Sequence, residues 1–230
     1  FITFGLIGFK KKAAAIVNPN QPGDLFPSKN LAGVGVIFYV MMALRAHLRD
    51  NGWFQTQGRS EPHLGYLLDF VALGTVADVV PLDQNNRILV FQGLQRIRAG
   101  KCHPGISALI GLGKKKAHQL QATDLGFILA PRLNAAGRLE DMSLGINCLL
   151  ATHFSEAQTL AARLDELNLE RRTIESTMQL SAYEVLKALS FDNSQLPLGL
   201  CLYQASWHQG VTVIIAARLK DRYARPTIAF

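Results

Sequence analysis

Cysteine, tryptophan and methionine are scarce in this 230-residue sequence, with 3, 2 and 4 copies. The three cysteines, Cys102, Cys148 and Cys201, are odd in number, far apart and without a CxxC pair. That excludes a disulfide-stapled secreted scaffold and suits a reducing, cytoplasmic compartment. No apolar run reaches the ~18–20 residues that span a bilayer. The longest candidate, Leu31 to Leu44, is broken by Gly33 and Gly35, so no membrane partner is expected. Acidic residues are also few. There are 17 Asp and Glu against 24 Lys and Arg, a formal net charge of +7. No Asp, Glu or His occurs before Asp24. A basic balance of this size admits an acidic polymer as partner and points to it only weakly.

What is present is enough apolar residue, 49% of the chain, to build a core, which argues against disorder. Ala13 to Val17 reads as a short strand before the turn-rich Asn18-Pro19-Asn20-Gln21-Pro22-Gly23. Ser28 or Asn30 is positioned to cap a helix from about Leu31 to Arg49, stopped by Asn51-Gly52. That helix is apolar nearly all round, which means burial, and its early glycines admit another backbone. A helical stretch, Pro62 to Phe70, leads into the apolar run Val71 to Leu82. Asn85 to Ile97 reads as a helix ended by Gly100, and Thr123 as the cap of a short helix to Leu129. Ser155-Glu156-Ala157-Gln158 matches a capping box. From there to about Leu189 apolar residues recur at helical spacing with no Gly or Pro, a helix of ~35 residues and ~50 Å. Asp192 to Pro197 reads as a linker. Leu198 to Tyr203 is a strand, Gly210 to Lys220 a helix, and Thr227 onward another strand. Strands alternating with helices on both sides of a long helix predict two α/β domains.

Asp78 is the most informative single residue. It stands in an apolar run, where an ionised carboxylate is costly unless paired or bound to a cation. Read as a strand end, it is a possible ligand for Mg²⁺ or Mn²⁺; the alternatives are a helix cap or an ion pair with Arg87. Arg132, Asn134 and Arg138 form a second group, with Gly137 allowing an unusual backbone. They either grip phosphate bidentately or form a solvated surface loop. Asn168 and Arg171 share one face of the long helix. His208-Gln209-Gly210 precedes a helix, where free N–H groups and the dipole favour phosphate. Its alternative is a packed or capping histidine. The lysine triplets 10–12 and 114–116 read as solvated loops.

Several segments, in order along the chain, resemble the RecJ single-strand-DNA exonucleases of the DHH phosphoesterase superfamily. They are Asn18-Pro19-Asn20, Phe26 to Val36, Leu68 to Leu82, Asn86-Arg87, Pro131 to Leu139, Trp207 to Val211, and Arg225-Pro226. The resemblance implies part of a DHH-type parallel-sheet catalytic domain over residues 1–154. It implies a connector helix over 155–190 and a partial α/β DHHA1 domain over 191–230. It also implies a 5′→3′ exonuclease acting on single-stranded DNA in repair and recombination, with a two-ion Mn²⁺ or Mg²⁺ centre. Asp78 carries over as a metal ligand and catalytic residue. Arg132, Asn134, Arg138, His208 and Gly210 carry over as DNA-phosphate-binding residues. Repair or helicase partners are implied as a class only.

The family's Asp-His-His signature is absent before Asn18, where Phe4-Gly5-Leu6 follows Phe1-Ile2-Thr3. Thr212-Val213 occupies the stretch where the family has another glycine. These departures predict an incomplete portion of a longer exonuclease, inactive alone. The alternative is a non-catalytic remnant that binds single-stranded nucleic acid.

Overall fold

The computed structural model describes residues 15–188 and 197–230. It divides into two compact units, Phe1–Ala130 and Pro131–Phe230. The expectations for residues 1–14, including the lysines at 10–12, and for most of the linker before Pro197 lie outside the described residues.

In the first unit the helices are α1 (Gly33–Asp50), the short α2 (Trp53–Thr56), α3 (Leu68–Ala77), α4 (Gln84–Arg98), α5 (Pro104–Leu112) and the single turn α6 (Ala122–Asp124). A π-helical turn, Leu125–Leu129, follows. No strand occurs among its described residues. Ala15, Ile16 and Val17 are irregular and exposed instead of forming the expected strand. A strand needs a neighbouring strand to pair with, and none occurs here among the described residues; the Ile16 carbonyl accepts from the Gln21 side chain at 3.2 Å instead.

The run from Val71 is the α3 helix, continued by Asp78 to Leu82 in irregular chain, and not a strand. A continuous apolar run does not distinguish a buried helix from a buried strand. Here the packing decides: Val71, Ala72, Leu73 and Thr75 are all buried, and α3 packs on α1 and α4. The close approaches come from glycines other than the early pair in α1. A Cβ on Gly93 of α4 would lie 2.2 Å from the Leu68 carbonyl oxygen. A Cβ on Gly74 would lie 2.7 Å from the Val34 side chain. α1 is less buried than its composition suggests. Gly35, Val36 and Phe38 are buried, while Ile37, Met42 and Leu44 are exposed.

Capping also differs from expectation. The N-cap of α1 is Ala32, with no side-chain bond. Ser28 and Asn30 serve α4 instead. Asp83 caps α4 by accepting from the Asn86 N–H at 2.9 Å, and Ser28 Oγ donates to its other oxygen at 2.7 Å. These bonds, the Asn86 N–H first, hold the Asp83 carboxyl below its ordinary range. At α6, which leads into the π turn, the cap is Gln121 and not Thr123, and its N–H donates to Asp124 at 2.9 Å. Asn51-Gly52 and Gly100 do end α1 and α4, the glycines at φ 65° and 68°.

The second unit continues through α7 (Ala130–Leu139), α8 (Ser143–Leu150) and the 35-residue α9 (Phe154–Ala188). It ends with β1 (Leu200–Leu202), α10 (Gln209–Tyr223) and β2 (Thr227–Ala229). The two strands pair in parallel, Leu200 opposite Thr227, with α10 as the crossover. The long helix starts one residue before Ser155, which therefore lies in its first turn and does not cap it. It has two buried stretches. Ala157, Ala161, Leu164 and Leu167 come first; Met178, Ala182 and Leu186 follow. The second stretch joins Leu200, Leu202, Trp207, Val211, Ile215 and Leu219 in one core. The whole is mostly helical with a small parallel sheet, an α/β architecture. No helix among the described residues is long and apolar enough to cross a membrane.

Candidate functional site

Asp78 is the C-cap residue of α3 and is exposed. No ion pair with Arg87 forms among the described residues. Asp78 is followed by Val79, at φ 54°. A β-branched residue in the left-handed region is strained. Its side chain is 87% exposed, so burial does not offset that strain. The carboxylate is thus held at a sharply turned helix end, open to an outside partner.

The costly buried carboxylate belongs to the other end of α3. Asp69 is 0% exposed. It accepts from the His103 backbone N–H at 2.8 Å, capping α5 from outside, and meets His103 Nδ1 at 2.8 Å. The His103 ring stacks on Phe70 with centroids 4.0 Å apart. Sequence reasoning passed over this pair. The available signals were Asp69 just ahead of the apolar run and His103-Pro104, a cap followed by proline at the first helical position.

In the second unit, residues 132–138 are helical and not a loop, and Gly137 takes an ordinary helical backbone. Six positions apart, Arg132 and Arg138 lie on different faces of that helix. Arg132 Nε lies 2.8 Å from Asp165 of α9. Asn134 is exposed and shares a face with Arg138. Arg138 Nη1 donates to the Gly210 carbonyl at 3.0 Å, across 72 residues of sequence. His208 caps α10, and its Nδ1 accepts from the Gly210 N–H at 3.1 Å. The ring proton therefore sits on Nε2.

The fold thus brings together Arg138, His208 and Gly210. The reason for the glycine is close approach: a Cβ there would lie 2.1 Å from the Arg138 carbonyl oxygen. The opening of α10 offers fewer free donors than expected, because the Val211 N–H is bonded to the His208 carbonyl at 2.9 Å. Arg138 spends one of its five N–H groups on Gly210 among the described contacts, leaving donors for a phosphate oxygen. Lys114 to Lys116 are exposed, with Lys115 3.3 Å from Asp124. Burial pushes the Cys148 thiol up to about 11.

No protein-family model matches the chain. Curated proteins do. The chain is 59% identical over 218 residues to the single-stranded-DNA-specific exonuclease RecJ of Dickeya dadantii. Against the RecJ of Escherichia coli it is 56% identical over 218 residues. The chain is thus similar to RecJ exonucleases over nearly its whole length. Each alignment covers 95% of this chain and 38% of the relative, so the chain spans under two-fifths of those proteins. Solved RecJ structures share the fold. A RecJ exonuclease bound to manganese matches with TM-score 0.75 and 30% identity, over 96% of this chain and 52% of that one. RecJ of Thermus thermophilus with Mg²⁺ matches with TM-score 0.73 and 30% identity, over 93% of this chain and 31% of that one.

Among the described residues no group of three or more His, Cys, Asp or Glu is placed to hold an ion. Asp78 supplies one carboxylate. A divalent ion takes ~6 ligands, so these residues do not by themselves fit a two-ion centre.

Proposed function

We propose that this chain is part of a 5′→3′ exonuclease that hydrolyses phosphodiesters of single-stranded DNA in repair and recombination. The observation that carries the reading is the 59% identity to an exonuclease of that substrate class across 95% of the chain. In this reading Asp78 contributes one oxygen ligand to a Mn²⁺ or Mg²⁺ centre whose other ligands lie outside the described residues. Such ions activate water and stabilise the leaving oxygen. The chain's own residues hold the strand. Arg138, fixed by Gly210, donates to phosphate oxygen, His208 Nε2–H adds a donor, and Asn134 extends the same helix face. Arg132 acts more remotely, through its pairing with Asp165. The assignment of residues 1–154 to a catalytic domain, 155–190 to a connector and 191–230 to a DHHA1 domain belongs to this proposal. So does a cytoplasmic location.

A second reading is a non-catalytic binder of single-stranded nucleic acid; no cluster of three metal-ligating side chains occurs among the described residues. One experiment separates them. The 218 matched residues replace their counterparts in the E. coli relative, and nucleotide release from 5′-labelled single-stranded DNA is followed with Mn²⁺. The chimaera is expected to be active, Asp78→Ala to abolish release, and Gly210→Ala to reduce it at least about tenfold. The 230-residue chain alone is expected to bind without turnover. A folded but inactive chimaera supports the second reading; an active Asp78→Ala chimaera removes Asp78 from the centre.

A further inference from the structure

Between the two apolar stretches of α9 lies a polar girdle. Asn168 and Glu175 are buried, at 1% and 6% exposure. Glu175 receives Arg171 of its own helix at 2.6 Å and also pairs with Arg218 of α10. Arg171 is further held by Asn168 Oδ1 at 3.2 Å. Two guanidinium groups on one carboxylate leave a net charge of +1, with Arg171 and Glu175 largely enclosed and Arg218 half-exposed, an excess that a bound anion would offset. The Nε of Arg171 is buried with no acceptor among the described residues. Above the cluster is an open depression of about 430 Å³, lined by Arg171, Arg172, Glu175, Ser176, Ile214 and Arg218. Arg172 is exposed and has no ion pair among the described residues.

We propose that this depression binds a phosphate group. Glu175 acts as the internal clamp, not as a ligand. It presets Arg171 and Arg218 so that little side-chain entropy is lost on binding, while Arg172 closes over the anion. Planar guanidinium forks match phosphate oxygens, and the anion neutralises the excess charge. One turn along α10, Arg222 lies 4.3 Å over the Tyr183 ring. Basic and aromatic groups thus continue along the same seam, as in single-strand tracks. The site goes beyond the exonuclease reading and stands without Asp78 or the Arg138–Gly210 contact.

The test uses the whole chain, ¹⁵N-labelled at low salt, titrated with inorganic phosphate and separately with hexathymidylate. Either ligand is expected to shift the Arg171 Nε–H resonance. Arg172→Ala, an exposed change that spares the core, should weaken that binding by about fivefold or more. Arg138→Ala should leave the Arg171 shift in place, which separates this site from the one in the exonuclease reading. If hexathymidylate binds more tightly than phosphate, the source is a nucleic-acid backbone. Its log–log salt slope should then fall by about 0.7 on losing Arg172. Equal affinity identifies a small free anion. No Arg171 shift with either ligand, or an Arg172→Ala variant as tight as wild type, overturns the proposal.

Discussion

The two ends of α3 carry the same side chain in opposite circumstances. Asp69, at the start, is fully enclosed and takes both the N–H and the ring nitrogen of His103. Asp78, at the end, is exposed and precedes a strained valine. An ionised carboxylate among apolar side chains needs a partner or a cation, and Asp69 has its partner inside the fold. A carboxylate already satisfied within the fold anchors structure, while one held outward at a turned helix end is available to something else.

The largest expected effect falls at the buried end. Asp69→Ala strands the His103 donors and opens a hole, at a cost of roughly 3 kcal/mol, read as a lower urea midpoint. A midpoint within experimental error of wild type would mean Asp69 is no anchor. The neighbouring cap comes next. Asp83→Ala should cost about 1–2 kcal/mol at pH 7. The bonds that hold Asp83 below its ordinary range add stability only above the unfolded carboxylate value. The gap to wild type should therefore close as pH falls below about 4, and a gap that widens in acid contradicts the capping role. Val79→Gly has the opposite sign. Relieving a left-handed valine should stabilise the chain by about 1 kcal/mol, since the lost side chain is 87% exposed. Destabilisation would show that Val79 has packing of its own. Asp78→Asn should change stability least, within about 0.5 kcal/mol. In the active chimaera the same substitution should still abolish metal-dependent release. Together these outcomes would separate the structural carboxylate from the functional one.

Much of the helical architecture was legible without coordinates. The 35 residues of α9 were readable from apolar spacing with no Gly or Pro, and α1 and α4 from their apolar residues and stop signals. The segment Pro131 to Arg138 was not. Asn134 and Gly137 are poor helix formers, and Pro131 reads as a break, although proline is compatible with a first turn. Tertiary contact overrides that weak preference, since Arg132 meets Asp165 and Arg138 meets Gly210. Gly210 was singled out as an approach for phosphate; the group that approaches it is the backbone of Arg138.

The ordered motifs alone determined the resemblance to RecJ exonucleases and the residues to watch, because local spacing and residue type are properties of the linear chain. Tertiary structure decided which of those residues are already engaged. Burial and pairing depend on neighbours that arrive from 34 to 72 positions away, a distance over which the linear pattern carries no geometric information.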